Sequence, residues 1–155
     1  MLITDYLKEE CIDISLSGEN REEVIKKLLD LILKSDPGIN REEALEDLFS
    51  REKLESTAIG KGVAIPHARV EKILGIKVAF GLLKNGLGFD SIDNKPVELV
   101  FLILFPKDEV GLQLRFLARV ARVLQQSGLH DSLLACKSAK EVVDIFKIYE
   151  EKHFH

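Results

Sequence analysis

The sequence has few of the residues that build metal or redox centres. Its two cysteines, Cys11 and Cys136, lie too far apart in the chain for a typical metal or redox motif. We therefore interpret both as small buried hydrophobic residues in a reducing compartment. The chain has no Walker-type phosphate loop, and its His, Cys and Asp residues form no cluster with metal-ligand spacing. We expect neither a bound metal nor a cofactor.

Long apolar runs are also absent from the sequence. The longest run, residues 99–105, is far too short to span a bilayer and is followed by Pro106. The N-terminal segment MLITDYLKEE lacks the basic start, apolar run and small-residue cleavage site of a signal peptide. These features predict a cytoplasmic protein without direct membrane insertion.

The sequence has no excess of positive charge. It has 22 Lys and Arg residues against 26 Asp and Glu, a formal net charge of −4, which argues against nucleic acid as the main partner. A chain of 155 residues, 46% of them hydrophobic, is long enough to bury a core without disulfides or metals. Because no repeat, low-complexity tract or linker interrupts it, we expect one domain over residues 1–155.

Helix-start signals recur along the chain. Residues 2–9 are compatible with a short helix. Asn20, Asn40 and Ser138 are each followed three residues later by Glu, a pattern typical of a capped helix start. The spacing of apolar residues over 110–126 predicts a further helix with one apolar stripe, formed by Val110, Leu114, Leu117, Ala121 and Leu124. Arg115, Arg119 and Arg122 would then form a solvated face or meet an acidic partner.

Apolar runs between these helices predict the strands. Residues 12–16 alternate as in a strand with one buried face. Residues 76–83 form a second, largely apolar strand that a turn at Asn85, Gly86 and Gly88 would end. Residues 99–105 are apolar on both faces, as in a central strand covered by helices. We therefore predict an α/β sandwich, with a mixed parallel and antiparallel sheet flanked by helices.

The most reactive-looking stretch is residues 51–69, REKLESTAIGKGVAIPHAR, which contains His67 directly after Pro66. A lone histidine in a buried-looking run is usually a satisfied core residue. Proline interrupts central strands, so we expect a strand to end here and His67 to lie at the rim of the sheet. His130, in contrast, is most simply a surface or capping residue.

Three kinds of neighbour favour an active His67. Guanidinium groups and hydroxyl groups are the donors that a phosphate bound at the imidazole would require, and glycines allow the backbone to approach closely. These residues are Arg51 and Arg69, Ser56 and Thr57, and Gly60 and Gly62. Arg51 is expected on the last turn of a helix, pointing towards the loop that follows. Arg69 serves either phosphate binding or partner docking.

The segment ESTAIGKGVAIPHAR resembles the active-site signature of the enzyme IIA domains of the fructose and mannitol class (type 2) in the bacterial phosphotransferase system. The nitrogen-regulatory phosphocarrier protein belongs to the same family. The resemblance covers nearly the whole chain and implies an enzyme IIA-like fold. It also implies that His67 accepts a phosphoryl group, on Nε2, from the histidine phosphocarrier protein and passes it to a cysteine of an enzyme IIB domain.

The chain departs from this family at one position. Family members carry a second histidine near the start of the penultimate long helix, in a pattern like H-L-x-x-L-A, whereas this chain has Gln113 there, in QLRFLA. We expect Gln113 to lean inward from the edge of the apolar stripe. Its amide can hydrogen-bond a phosphate oxygen or the His67 ring, but it cannot take up a proton.

Three functions remain open at this point. The chain is a phosphocarrier in sugar uptake, or a regulatory phosphoprotein in which His67 phosphorylation switches binding to a transporter, kinase or transcription regulator. Gln113 tilts the choice slightly towards regulation. A third hypothesis is a domain of the same fold that no longer accepts phosphate and only binds a partner; the combination of His67, Arg51, Gly60 and Gly62 argues against it.

Overall fold

Helices and strands alternate along the computed structural model, which describes residues 1–54 and 56–154, without the side chains of Leu54, His153 and Phe154. The strands are β1 (Ile12–Asp13), β2 (Ala58–Gly60), β3 (Val63–Ala64), β4 (His67–Val70), β5 (Lys77–Leu87) and β6 (Val97–Pro106). The α-helices are α1 (Arg21–Ser35), α2 (Arg41–Leu54), α3 (Val110–Leu124), α4 (Leu129–Leu134) and α5 (Ala139–Phe154).

The strands form one mixed sheet in which β6 is central. The sheet order is β1-β5-β6-β3-β2, and β4 also pairs with β6. β5 runs antiparallel to β6, whereas β3 and β4 run parallel to it. β1 is parallel to β5, and β2 is antiparallel to β3. This arrangement confirms the predicted mixed sheet and the central position of residues 99–105.

Helices cover both faces of the sheet. Phe101 and alternate residues of β6 pack on one face with α3 and α5, where the Phe101 and Phe146 rings lie 5.9 Å apart. Leu102 and the residues two positions away from it in β6 pack on the other face of the sheet. They pack against α1 and α2, whose buried residues include Leu28 and Leu48. Because successive side chains of a strand point to opposite faces, a strand buried on both faces must be apolar throughout, as β6 is. The protein is therefore an α/β sandwich.

The predicted helix starts at Asn20, Asn40 and Ser138 are confirmed. The side chain of Asn20 accepts a hydrogen bond from the Glu23 backbone N–H at 2.9 Å, and that of Asn40 accepts one from Glu43 at 3.0 Å. Ser138 Oγ accepts from Glu141 N at 3.2 Å. Each cap satisfies a backbone donor that the first helical turn leaves unpaired.

The N-terminal segment differs from its prediction in two ways. In place of a helix over residues 2–9, the chain forms two short 3₁₀ turns, Ile3–Asp5 and Glu9–Cys11. The buried Glu150 of α5 accepts hydrogen bonds from the backbone N–H groups of Ile3 and Thr4. The strand predicted over 12–16 is only two residues long, because the Asp13 side chain accepts a bond from Ser15 N and turns the chain.

The turn predicted at Asn85, Gly86 and Gly88 is wrong for its first two residues, since Asn85 and Gly86 lie within β5, whereas Gly88 follows the strand. The pairing of β5 with β6 shifts register between Leu82 and Leu87, and Gly86 has a φ of +73°. The sequence signal therefore marks an irregularity inside a strand. The chain reverses later, over residues 88–96.

Helix α3 is rotated relative to its predicted stripe. The buried residues are Gln113, Phe116, Val120, Val123 and Leu124, whereas Val110 and Leu114 are 50% and 65% exposed. Two apolar rows lie side by side on this helix, and the row with Phe116 packs inward because its ring meets the rings of Tyr6 and Phe105. Leu117 and Ala121 of the other row lie beside the edge of the sheet that carries His67.

Both cysteines are buried, as predicted, with 5% of Cys11 and 3% of Cys136 exposed. Burial raises the pKa of each thiol, which disfavours the reactive thiolate. Within the described part of the chain, no helix combines the length and the apolar character needed to cross a membrane.

Replacing the cap of α2 tests how far this helix depends on its first turn. We expect Asn40→Ala to lower the free energy of unfolding by about 1 kcal/mol, because the Glu43 N–H loses its acceptor. Urea denaturation with an unchanged m-value measures this loss. Asn85→Ala, at an exposed position of β5, serves as the asparagine control, and an equal loss there would contradict a capping effect.

Candidate functional site

His67 lies where one edge strand is interrupted. β3 ends at Ala64, before Pro66, and β4 begins at His67, so both short strands pair with β6 in succession. The prediction of a strand end before proline is therefore correct, but His67 opens a new strand and does not follow the last one. His67 is opposite Ile103 of β6, which faces α3 and α5.

The interruption gives the imidazole a fixed orientation. His67 Nδ1 lies 2.8 Å from the backbone carbonyl oxygen of Ile65. A carbonyl can only accept a hydrogen bond, so Nδ1 carries the proton and donates it. In the neutral ring the lone pair is then on Nε2, and no described residue forms a hydrogen bond with that nitrogen.

The surroundings lower the pKa of His67 below its ordinary value. Burial is the main cause, because it disfavours the charged imidazolium, and the Arg51 guanidinium acts in the same direction. The hydrogen bond to Ile65 and the carboxylate of Asp47 oppose the shift. The ring is consequently neutral, and able to act as a nucleophile, at pH 7.

Arg51 is held beside His67 by Asp47, a residue that sequence reasoning missed. Asp47 Oδ2 accepts a hydrogen bond from Arg51 Nε at 3.1 Å and another from the backbone N–H of Arg69 at 2.9 Å. This carboxylate therefore ties α2 to β4. The i, i+4 spacing of Asp47 and Arg51 on one helix was the available signal. Among the described residues only Nε of Arg51 has a hydrogen-bond partner, so the terminal guanidinium nitrogens are available to an anion.

His67 and Arg51 share a pocket of about 410 Å³. Its wall is mostly apolar and combines residues of α3 with residues near β2 and β3: Ile59, Ile65, Leu117 and Ala121. Ser56 and Thr57 complete the lining. The row of α3 that was predicted to face the core thus supplies part of this wall. An apolar wall around a few polar groups keeps water scarce, which strengthens electrostatic interactions.

The two hydroxyl groups predicted to bind phosphate have protein partners. Ser56 Oγ donates to the carbonyl oxygen of Phe89, and Thr57 Oγ1 donates to the carboxylate of Glu52. Glu52 is 5% exposed, and burial raises its pKa. It also lies 3.7 Å from Arg21. In this state the hydroxyls hold the loop that lines the pocket, so either must exchange its partner before it donates to a ligand.

The structure does not bring the glycines to the imidazole. Gly60 and Gly62 have φ values of +91° and +78° and flank Lys61 in the tight turn between β2 and β3. An added Cβ on Gly62 would lie 2.9 Å from Cε1 of His130, and one on Gly60 would lie 3.4 Å from Asp93. These glycines therefore allow the turn and its close contacts on a face away from His67.

Two further predicted residues lie near the pocket without lining it. Arg69 is two residues beyond His67 in β4 and borders a separate depression with Glu43, Glu46 and Asp47. Gln113 is 8% exposed, which confirms its inward position. It lies one helical turn before Leu117, and no hydrogen bond between Gln113 and His67 is present among the described residues.

Comparison with known proteins identifies the family of the chain. Residues 5–148 match the family model of the phosphoenolpyruvate-dependent sugar phosphotransferase system, EIIA 2. The chain belongs to this EIIA family. The match covers most of the chain, including every residue of the pocket and the last helix up to Ile148. The predicted family resemblance is thereby confirmed.

The relatives include both regulatory and sugar-specific members. The chain is 34% identical over 148 residues to the nitrogen regulatory protein of Bradyrhizobium diazoefficiens, covering 96% of each. It is 29% identical over 151 residues to the fructose-specific EIIABC component of Bacillus subtilis, covering 97% of this chain but only 24% of that one. The chain thus spans about a quarter of the fructose component and nearly all of the nitrogen regulatory protein.

Solved structures agree with the fold. The nitrogen regulatory protein IIA-Ntr of Neisseria meningitidis superposes with a TM-score of 0.85, at 33% identity, over 93% of this chain and 98% of that one. The complex of enzyme IIAMTL and phosphorylated enzyme IIBMTL from Escherichia coli gives a TM-score of 0.77 at 21% identity, over 91% and 96%. The second likeness concerns the fold alone.

Titration of His67 tests the electrostatics of the EIIA pocket. We expect the ring to titrate below its usual pKa of about 6.5. Arg51→Gln should raise the midpoint, since a nearby cation disfavours the imidazolium, and Asp47→Asn should lower it. NMR of the ring C–H signals against pH measures both changes. Arg41→Gln removes a charge from the exposed start of the same helix and should change nothing.

An unchanged midpoint in Arg51→Gln would contradict the position of Arg51 beside the ring.

The lowered pKa of His67 also makes the free energy of unfolding depend on pH. Because the folded pKa is lowered, His67 contributes stability above its unfolded pKa, and this contribution is lost as the pH falls through that value towards the lower folded one.

Proposed function

We propose that the chain is a phosphocarrier in which Nε2 of His67 accepts a phosphoryl group and gives it to an acceptor protein. The observation that carries this proposal is the hydrogen bond from Nδ1 to the Ile65 carbonyl, which leaves the lone pair on Nε2 in a neutral ring. Residues 1–155 form one type-2 enzyme IIA domain in this proposal. Its phosphoryl donor is the histidine phosphocarrier protein.

The acceptance step needs no proton transfer at the reacting nitrogen. The Nε2 lone pair attacks phosphorus and forms a P–N bond, while the P–N bond to the donor histidine breaks and its electron pair returns to the donor ring. Nδ1–H stays bonded to Ile65 and steadies the positive charge that develops on the ring. The protein therefore contributes position and electrostatics more than covalent chemistry.

Arg51 is suited to the charge on the transferred group. Its guanidinium lines the same pocket, and Asp47 fixes it through Nε alone. The terminal N–H groups can bind phosphoryl oxygens in pairs. Asp47 also reduces the net positive charge beside the ring, which limits how tightly the phosphoryl group is held. A carrier requires this balance, because an overly stable intermediate would not transfer onward.

The acceptor in this proposal is a cysteine of an enzyme IIB domain. A thiolate attacks phosphorus, the P–N bond breaks, and the electron pair returns to Nε2. Support comes from the similar fold of enzyme IIAMTL, which has been solved with phosphorylated enzyme IIBMTL. Val110 and Leu114 are exposed apolar residues in the turns of α3 that precede Leu117, and they offer a docking surface for such partners. We place the protein in the cytoplasm, where these partners would meet it.

Regulation is the second candidate, and two observations favour it. The chain matches nearly the whole length of nitrogen regulatory proteins, and Gln113 stands where the family's second histidine is expected. An amide cannot exchange a proton or carry charge, so onward transfer would be slower and the phosphorylated state longer lived. Phosphorylation adds up to about two negative charges beside an apolar surface. That change can switch binding to a transporter, kinase or transcription regulator.

Phosphorylation in vitro tests the proposal directly. We expect incubation with phosphoenolpyruvate, enzyme I and the histidine phosphocarrier protein to add one acid-labile phosphate, measured by intact mass. His67→Ala should abolish this gain, whereas His130→Gln should retain it as the matched histidine control. Circular dichroism should be native for both variants, because His67 lies at the start of a short edge strand. Phosphate on the His67→Ala protein would refute the assignment.

Onward transfer separates the two candidates. We expect Gln113→His to increase the rate of transfer to an enzyme IIB domain, with little effect on acceptance, because imidazole can carry charge one helical turn from the pocket wall at Leu117. Quench-flow with phosphorylated protein measures the rate. Gln125→His, at the exposed end of the same helix, is the control. Rapid transfer by the wild type, unaffected by Gln113→His, would exclude the proposed role of this position and weaken the regulatory candidate.

A further inference from the structure

A second pocket, of about 520 Å³, lies outside the His67 site. Three segments meet there: the β2–β3 turn with Lys61 and Gly62, the start of β6 with Glu98, and the residues that join α3 to α4. Neither His67 nor Arg51 lines this pocket. Its volume is in the range of small-molecule sites, and the proposed phosphoryl transfer makes no use of it.

The inner side of the pocket is a fixed polar contact. His130 Nε2 lies 3.0 Å from Glu98 Oε1, and their side chains are only 24% and 33% exposed. The imidazole packs directly on the backbone of Gly62, where any side chain would collide with it. The histidine therefore engages one carboxylate oxygen of Glu98, which leaves this carboxylate less available to bind a cation.

The rim of the pocket is rich in hydrogen-bond donors. Lys61 and Lys95 are exposed, and neither ammonium forms an ion pair with any described residue. Lys61 is held in the left-handed region, with φ of +57°, by the Asp93 carboxylate that accepts from its backbone N–H at 2.8 Å. Backbone strain of this kind persists only where the surrounding structure imposes it. Ser127 and Gln125 add a hydroxyl and an amide to the lining.

We propose that this pocket binds a small organic or inorganic anion with more than one negative charge, held by Lys61 and Lys95 over the His130–Glu98 pair. The two carboxylates at this site, Glu98 and Asp93, are already engaged by protein groups, whereas neither ammonium has a partner among the described residues. Free donors therefore favour an anion and disfavour a metal cation. The lysines, Glu98, Gln125, Ser127 and His130 of the lining disfavour a mainly apolar ligand. The concave shape and the net charge of −4 disfavour nucleic acid.

Carboxylate and phosphate groups share the chemistry that this pocket recognises, because both accept charge-assisted hydrogen bonds from ammonium groups. NMR titration of the ¹⁵N-labelled, unphosphorylated chain distinguishes the two sources. Succinate is the dicarboxylate probe and inorganic phosphate is the phosphate probe, each at constant ionic strength. We expect saturable amide shifts centred on Lys61, Gly62, Lys95 and Ser127 with at least one probe. The probe that saturates at the lower concentration identifies the group preferred.

A charge-matched pair of variants tests the assignment. Lys61→Gln combined with Lys95→Gln should weaken binding about tenfold or more, since two charge-assisted hydrogen bonds are lost. Lys34→Gln combined with Lys137→Gln removes the same charge from exposed positions outside the pocket and should weaken binding less than twofold. The spectra of both double variants should otherwise match the wild type, because all four lysines are exposed.

Three results would overturn the proposal. They are the absence of saturable shifts with either probe, shifts confined to residues around His67 and Arg51, and equal weakening in the two double variants. The binding measurement uses no phosphoryl donor. A failure here would therefore leave the proposed phosphocarrier function untouched, and a failure of phosphorylation would leave this site untouched.

Discussion

The hydrogen bond between the His67 ring and the Ile65 carbonyl is the constraint on which the candidate site depends. It exists because Pro66 breaks the edge of the sheet. Ile65 falls between β3 and β4, so its carbonyl points to the side chain two residues later. The neighbouring carbonyl, that of Pro66, accepts from Ile103 N and keeps the broken edge attached to β6. One proline thus separates two strands and orients the nucleophile.

The remaining parts of the site come from opposite faces of the sheet. Helix α2 covers one face and delivers Arg51 from its last turn, while α3 covers the other and supplies Leu117 and Ala121. Both can reach His67 only because β4 pairs with β6 alone among the described strands and leaves its other side open. Asp47 then links α2 to the backbone of β4. The position of the cation is consequently set by the same edge that positions the imidazole.

Local signals in the sequence were sufficient for much of the fold. Asn20, Asn40 and Ser138 marked helix starts because a capping side chain acts within one turn, and the doubly apolar run at 99–105 could only be a central strand. The rotation of α3 was not predictable in this way. Val110 and Leu114 are as apolar as Phe116 and Val120, and only contacts with distant rings decide which row is buried. Sequence spacing carries no such information.

Some residues of the candidate site were likewise predictable from local sequence, and others were not. His67 and Arg51 were identified from residue type and neighbourhood, and the structure brings them into one pocket. Asp47 was missed because its bond to Arg69 N joins residues 22 positions apart. Gly60 and Gly62 were assigned to the imidazole because they are near it in sequence, although Gly62 lies against His130 and Gly60 lies against Asp93. Tertiary contacts of this kind appear only once strands are paired.

The β2–β3 turn has a consequence for communication between distant parts of the molecule. Ile59 of this hairpin lines the His67 pocket, whereas Lys61 and Gly62 line the other pocket. The β2–β3 hairpin therefore forms part of the wall of both pockets. If an occupant of one pocket displaces it, thermodynamic reciprocity requires that binding in the other pocket change by a factor that is the same in both directions. A hairpin of a few residues can thus make two separate cavities thermodynamically interdependent without any larger conformational change.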